Sequence, residues 1–280
     1  MTTLDALQAQ CKVLHLSTIA QVLPQALALA ERQAWSGESL LLYLLEQEVS
    51  ERQQRRIARL LHEAQLPTGK TLATFDQARL PLRVRRQLPW LLQGDVVRQA
   101  ENVLIFGLPG TGKTHLAAAL AYEWIQRDLS VWFTPTFKLV DRLLRAKRDL
   151  QLDAELKRLD RFQAIVLDDI GYVQQSREEM EVLFTFFAER YERRSVVITS
   201  NLVFSQWEQI FKDPLTTAAA IDRVVHHSRI LEFGADTASM RAEVALRRQQ
   251  AERLAGTESI DTSTLPGLEP ASATAALGSI

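Results

Sequence analysis

A chain of 280 residues, 46% hydrophobic and 24% charged, has the composition of a soluble globular protein with room for one large or two modest domains. A formal net charge of -1 excludes a globally basic nucleic-acid binder, so any such surface must be local; the single Cys11 excludes an internal disulfide and a cysteine-rich metal site. No apolar run approaches the roughly 20 residues that span a bilayer, and the first residues lack the pattern of a secretory signal, so the expected location is cytoplasmic.

Residues 1–66 read almost wholly as helix. Leu14, Ile19, Val22, Leu23 and Leu27 recur at helical spacing, as do Leu41, Leu42, Leu44 and Leu45, and then Ile57, Leu60 and Leu61. Ser36-Gly37 interrupts the pattern and places a turn between helices at Gly37. Arg52, Arg55, Arg56 and Arg59 share one helix face, which reads either as solvated surface or as a contact for nucleic acid or a partner protein. Leu66-Pro67-Thr68-Gly69 closes this block. The expectation is a helical domain over 1–66 and a lead-in over 67–99, in which Arg83, Arg85 and Arg86 form a cluster of unassigned role.

From 100 onward, short apolar runs alternate with amphipathic stretches, the signature of a parallel α/β sheet. The expected strands are residues 103–106, 131–134, 164–167, 196–199 and 230–233; the expected helices are 114–127, 137–146, 178–193 and 218–225. This α/β core covers 100–254, and the Ser-, Ala-, Thr- and Pro-rich stretch 255–280 is expected to be a disordered tail. Of the five histidines only His226 and His227 are adjacent. Neighbouring residues on a helix diverge, so this pair is expected to be a poor chelate.

The most informative segment follows the apolar run Val103-Leu104-Ile105-Phe106. It reads G-L-P-G-T-G-K-T, that is Gly107, Leu108, Pro109, Gly110, Thr111, Gly112, Lys113 and Thr114, and leads into the helix-like Leu116-Ala117-Ala118-Ala119-Leu120. A phosphate chain needs converging backbone N–H groups, and a glycine turn at the positive end of a helix supplies them. Gly107, Gly110 and Gly112 remove side chains where the backbone must close on phosphate oxygens. Lys113 is expected to reach the β- and γ-phosphates, and the Thr114 hydroxyl to ligate Mg²⁺. The implied ligand is a nucleoside triphosphate, ATP, with Mg²⁺.

Ala164-Ile165-Val166-Leu167 runs into Asp168 and Asp169. Asp168 is the expected magnesium carboxylate and Asp169 the general base that orients the attacking water; a helix cap is the structural alternative. Val196-Val197-Ile198-Thr199 leads to Ser200-Asn201, whose amide can hold the water or the γ-phosphate, or simply form a turn. Phosphoryl transfer also needs positive charge, often an arginine from a neighbouring subunit. Arg223 and Arg241 lie downstream, but the residues alone do not choose them over Arg190, Arg193 or Arg194.

Residues 137–161 hold eight basic side chains against five acids. Lys138, Arg142 and Arg145 share one helix face, with Leu139, Val140 and Leu143 turned to the core. Such a stripe can track a phosphate backbone, or be an ordinary solvated face. No residue set resembles a nuclease or transposase site.

The order G-L-P-G-T-G-K-T, I-V-L-D-D-I-G-Y, E-R-Y-E-R-R-S-V-V-I-T-S-N, I-D-R-V-V-H-H and S-M-R resembles the IstB-type transposition helper ATPases of bacterial insertion sequences. These belong with the DnaC-type helicase loaders and the initiator DnaA in the AAA+ superfamily. The resemblance runs from the helical domain to about residue 248. It implies that Asn201 is the first sensor, Arg223 the arginine finger acting on the adjacent subunit's ATP, and Arg241 the second sensor. It also implies a homo-oligomer joined through ATP, a transposase of the same mobile element as partner, and duplex DNA along the stripe of Lys138, Arg142 and Arg145. Two departures stand out. The family often has Ser-Tyr-Arg where this chain has Ser239-Met240-Arg241, and AAA+ proteins commonly carry Asp-Glu where it has Asp168-Asp169. The shorter acid implies slow turnover. The rival readings are a helicase loader, a nucleotide-sensing adaptor without DNA contact and, less well matched, a small-molecule kinase.

Overall fold

The computed structural model describes residues 2–172, 176–202 and 223–234. Strands that are apolar throughout cannot face water on either side, so they pair in parallel under helices on both faces. Four strands do this, β1 (Asn102–Gly107), β2 (Val131–Pro135), β3 (Ala164–Asp168) and β4 (Ser195–Ser200), and a half-exposed fifth, β5 (Ser228–Phe233), closes the sheet beside β1. They form one parallel sheet in the order β2-β3-β4-β1-β5. Every expected strand is present and runs slightly longer than its apolar segment. Because all strands point the same way, the loops after β1, β3 and β4 collect at one edge, where open α/β sheets bind ligands.

The pleat sorts β1 between two cores. Val103 and Ile105 pack with Leu116, Ala117, Leu120 and Trp124 of α6 (Lys113–Gln126) and with Val84, Leu88 and Leu91 of α4 (Leu82–Gln93). Leu104 and Phe106 face the opposite way, toward Leu139 and Leu143 of α7 (Thr136–Arg148), Leu156 and Leu159 of α8 (Leu152–Asp160), and Phe186 of α9 (Arg177–Arg190). Each fully buried aliphatic contributes roughly 1.5–3 kcal/mol, so the two layers hold the sheet rigidly beneath its loops. Helices α4 and α8, and the single turn α5 (Asp95–Arg98), add to those expected from the sequence.

One buried cation organises the α9–β4 turn. Arg190 is 3% exposed and donates to the carbonyls of Leu159, Phe162, Gln163 and Ser195. Burial pushes its guanidinium down to about 9, with Asp160 opposing the shift and Arg194 and Arg193 adding to it, so it remains charged at neutral pH.

The helical run at the amino end breaks twice rather than once. α1 (Thr3–Val13) and α2 (Ser17–Gln33) are separated at His15, which adopts a left-handed φ of 57°, and α3 (Gly37–Ala64) follows. Gly37 is the first residue of α3, not a turn, because Ser36 caps the helix by accepting from Ser39 N. Ile19, Leu23, Ala26 and Leu44 form a small core. Glu48, 3% exposed, accepts from Thr18 N at 2.7 Å and Ile19 N at 3.0 Å, capping α2 from another helix. Arg52 reaches the His15 carbonyl, Arg55 reaches Ser17 and Thr18, and Arg56 pairs with Asp128. This arginine face therefore joins helices to each other and to the sheet domain. Farther along α3, Leu60 and Ala64 share the core of α4 and α6. Among the described residues no helix is long and apolar enough to cross a membrane.

Candidate nucleotide site

The turn after β1 needs glycine for two separate reasons. Gly107 has φ +154°, and a Cβ there would lie 2.6 Å from Phe233 Cβ on the neighbouring strand. Gly112 has φ +101° and sits at the N-cap of α6 with no side-chain cap, so no side chain competes for the N–H groups of the first turn. Thr111 Oγ1 donates to the Leu108 carbonyl at 2.9 Å and tightens the loop.

Lys113, 6% exposed, bends back over this loop. Its Nζ donates to the carbonyls of Gly107 at 2.7 Å and Leu108 at 2.9 Å, and to Asn201 Oδ1 at 2.6 Å. The Asn201 amide in turn donates to Asp169 Oδ1 at 3.0 Å. A parallel string starts from Thr114, whose hydroxyl donates to Asp168 Oδ1 at 2.9 Å, while Thr199 Oγ1 donates to the same oxygen at 2.7 Å. The two strings meet where Asp169 N donates to Thr199 Oγ1 at 2.9 Å. Asp169 has φ +64°, a left-handed conformation that Asp tolerates better than most residues. It turns the chain sharply out of β3 into a short helical turn, Ile170–Tyr172. Thr136 adds a hydrogen bond to the Asp168 carbonyl at 3.1 Å, which ties the start of α7 to the same strand end.

These groups border a cleft of about 360 Å³ lined by Lys70, Gly110, Gly112, Lys113, Thr114, Asp169, Thr199 and Asn201, among others. Lys113, Thr114, Asp168, Asp169 and Asn201 are thus brought together from three segments of the chain. Thr199 was not singled out in the sequence; its only signal is a hydroxyl residue at the tip of an apolar strand. Lys70 and His115 were missed as well. His115 hydrogen-bonds the Thr71 carbonyl at 3.0 Å and lies edge-on to Phe75, so the lead-in segment folds against the phosphate loop. Burial pushes the His115 imidazole below its usual range, opposed by the Thr71 hydrogen bond and assisted by Lys70.

Arg223 does not line the cleft. Its guanidinium lies 4.6 Å from the centre of the Phe184 ring on α9, and the next residue, Val224, accepts from Asn102 Nδ2 at the amino end of β1. It therefore stands at the opposite edge of the sheet. Arg241, most of the helix expected over 218–225, and the tail lie outside the described residues.

The basic stripe of α7 is heavily engaged. Arg142 pairs with Glu155 and covers the Trp132 ring at 5.1 Å, and Arg145 pairs with Asp141 one turn away. Arg145 is 68% exposed in its side chain, and Lys138 lies on the exposed face near the start of the helix.

The chain matches the family model of IstB-like ATP binding proteins over residues 9–247. It is 40% identical over 238 residues to a protein of Sinorhizobium fredii described as an insertion-sequence ATP-binding protein, covering 85% of this chain and 80% of that one. It is 35% identical over 236 residues to a protein described as the ATP-binding protein of insertion sequence IS21 from Pseudomonas aeruginosa, covering 83% and 87%. Among solved structures, the replication initiator DnaA bound to AMPPCP and single-stranded DNA aligns with a TM-score of 0.51 at 15% identity, covering 66% of this chain and 57% of that chain. The fold is shared with that initiator, and the chain belongs to the IstB-like ATP-binding protein family.

Proposed function

We propose that the protein hydrolyses ATP to control its own assembly on DNA, and that the assembly serves a transposase of the same mobile element in the cytoplasm. The observation that carries this reading is the convergence of Lys113, Thr114, Asp169 and Asn201 on one cleft beside a glycine loop, with Asp168 hydrogen-bonded to Thr114 and Thr199 at its edge. Loop N–H groups at the start of α6 receive the phosphates, and Lys113 exchanges the Gly107 and Leu108 carbonyls for phosphate oxygens. Thr114 and Asp168 present hydroxyl and carboxylate oxygens 2.9 Å apart, a hard-donor pair that fits magnesium; bound there, the ion would offset the charge of the phosphates. Asp169 takes a proton from water as the water oxygen bonds to the γ-phosphorus and the bond to the β–γ bridging oxygen breaks, leaving ADP and phosphate. Asn201, bonded to both Lys113 and Asp169, holds the water and the cation in one geometry.

Arg223 stands across the sheet from its own cleft, which is where a residue serving a neighbour's ATP belongs. In this reading Arg241 senses the γ-phosphate within its own subunit. ATP then bridges two subunits, and losing the γ-phosphate weakens the bridge and releases the DNA. Lys138, Arg142 and Arg145 contact the duplex backbone, with Arg142 and Arg145 trading intramolecular carboxylates for phosphates. The relatives' assignment to insertion sequences supports the transposase partner.

The test is duplex-DNA binding by the full chain, followed by fluorescence anisotropy and sedimentation with ATP, ADP or no nucleotide. ATP should raise both DNA affinity and particle mass, and the Asp169→Asn variant should hold that state. Equal affinity and mass in all three conditions would overturn the reading.

A further inference from the structure

The adjacent histidines do not line the candidate nucleotide cleft, and their geometry differs from a helical pair. The helical turn ends at Val225, and His226 and His227 form the bend that enters β5. There the rings meet edge to face with centroids 4.3 Å apart. Glu192, in the turn between α9 and β4 with φ +55°, comes up beside them. His227 Nε2 is 3.2 Å from Glu192 Oε1, and His226 Nδ1 is 3.1 Å from the Tyr191 hydroxyl. One donor atom from each of Glu192, His226 and His227 lies within 4.8 Å of the other two.

We propose that Glu192, His226 and His227 form a binding site for a zinc-class divalent ion, at the edge of the sheet opposite the nucleotide cleft. Zinc bonds of about 2.0–2.1 Å in tetrahedral geometry place donors about 3.3 Å apart. The His227–Glu192 separation of 3.2 Å is close to this value, and rotation of the exposed His226 ring would bring in the third donor. Two imidazoles and one carboxylate are a borderline donor set that suits zinc rather than magnesium or calcium, which prefer all-oxygen shells. Three protein ligands leave the fourth position to water.

The platform beneath the site is rigid on both sides. Asn102 N donates to the His227 carbonyl at 2.7 Å, Asn102 Nδ2 to the Val224 carbonyl at 3.0 Å, and Ser228 Oγ to the Val225 carbonyl at 2.9 Å. On the other side the Glu192 turn follows buried Arg190, which grips the carbonyls of Leu159, Phe162 and Ser195, while Arg193 N and Arg194 N donate to the Arg190 carbonyl. Little backbone ordering is left to oppose metal binding. The ion would join the turn after α9 to the turn that follows Arg223.

The experiment is calorimetric titration of the untagged full chain with Zn²⁺ in excess Mg²⁺ and ADP, repeated with Co²⁺ while recording visible absorption. One equivalent should bind, with cobalt bands of a four-coordinate nitrogen and oxygen site and a higher thermal midpoint. Glu192→Gln and His227→Ala should each lower affinity by more than about tenfold, with unchanged far-ultraviolet circular dichroism and unchanged ADP binding. Absence of saturable binding would overturn the proposal. So would undiminished binding in the His226→Ala, His227→Ala double variant, or binding lost in Thr114→Ala instead.

Discussion

The Lys113 ammonium donates to Asn201 Oδ1 at 2.6 Å while the other end of the same amide donates to Asp169 Oδ1. One side chain at the tip of β4 thus links the cation of the phosphate loop to the carboxylate that leaves β3. Replacing Asn201 by Ala should uncouple them, lowering ATP turnover by about 10- to 100-fold with ATP affinity changed far less. Replacing Lys113 by Ala should instead lower ATP affinity by about 10- to 100-fold, the value of one charge-assisted contact. Fluorescent-nucleotide titration beside a phosphate-release assay separates the two; equal loss of affinity in both variants would sink the distinction.

Asp169→Asn removes the proton acceptor but keeps a side chain of the same shape. Turnover should fall by about 10²- to 10⁴-fold with nucleotide binding intact. Arg223→Ala should also be inactive and should lose ATP-dependent assembly. Mixed together, the two variants create some interfaces that combine an intact Asp169 with an intact Arg223. Partial recovery of phosphate release is expected, and a mixture no more active than its parts would remove Arg223 from the neighbour's site.

The engaged state of the α7 stripe shapes the DNA test. Reversing Arg142 would set two acids beside each other at Glu155, so Arg142→Gln is the cleaner change there. Combined with Lys138→Glu and Arg145→Glu, it should weaken duplex binding uniformly across sequences and reduce the salt slope by about 2–3. ATP binding should be unchanged. An unaltered salt slope would place the DNA elsewhere.

Glu48 gives a stability prediction with a sign. Burial alone would raise its carboxyl, but the hydrogen bonds from Ile19 N, Arg52 and Thr18 N, with the Arg52 charge, outweigh that and hold it below the usual glutamate range. A depressed folded value means the stabilisation is complete above the unfolded value and is lost as pH falls through the folded one. Thermal melts of the wild type should therefore decline in the acid range below about pH 4.5. Glu48→Gln should be destabilised by about 1–2 kcal/mol at neutral pH with less of that acid dependence. Parallel acid profiles for both proteins would exclude Glu48 as the cause.

Much of the architecture was legible because it is written in local patterns. Short apolar runs such as 103–106 and 164–167, ending at Gly107 and Asp168, read as buried strands, and all five expected strands appear in the parallel sheet, the fifth with Ile230 and Glu232 exposed. The boundaries of the amino-terminal helices were less legible. Gly37 reads as a breaker, yet the cap at Ser36 makes it a first-turn residue, and the break at His15 carries no glycine or proline to announce it. Helix α8 was missed because two buried leucines, Leu156 and Leu159, make too short a periodic signal.

Local spacing alone specifies the loop from Gly107 to Thr114, the strand before it and the helix after it, since the glycines and the helix start act within a few residues of each other. Which distant groups meet that loop is set by the folded chain. Strand order placed Thr199 against Asp168 and Asn201 against Lys113, across 31 and 88 positions of chain. It also decided that the arginines of α3 join helices, and that His226, His227 and Glu192 face one another where a helical pair would have diverged. The physical reason is the same in each case: hydrogen bonds and ion pairs between remote residues depend on which strands are neighbours and how a turn is pinned, and neither is encoded in the spacing of the residues that meet.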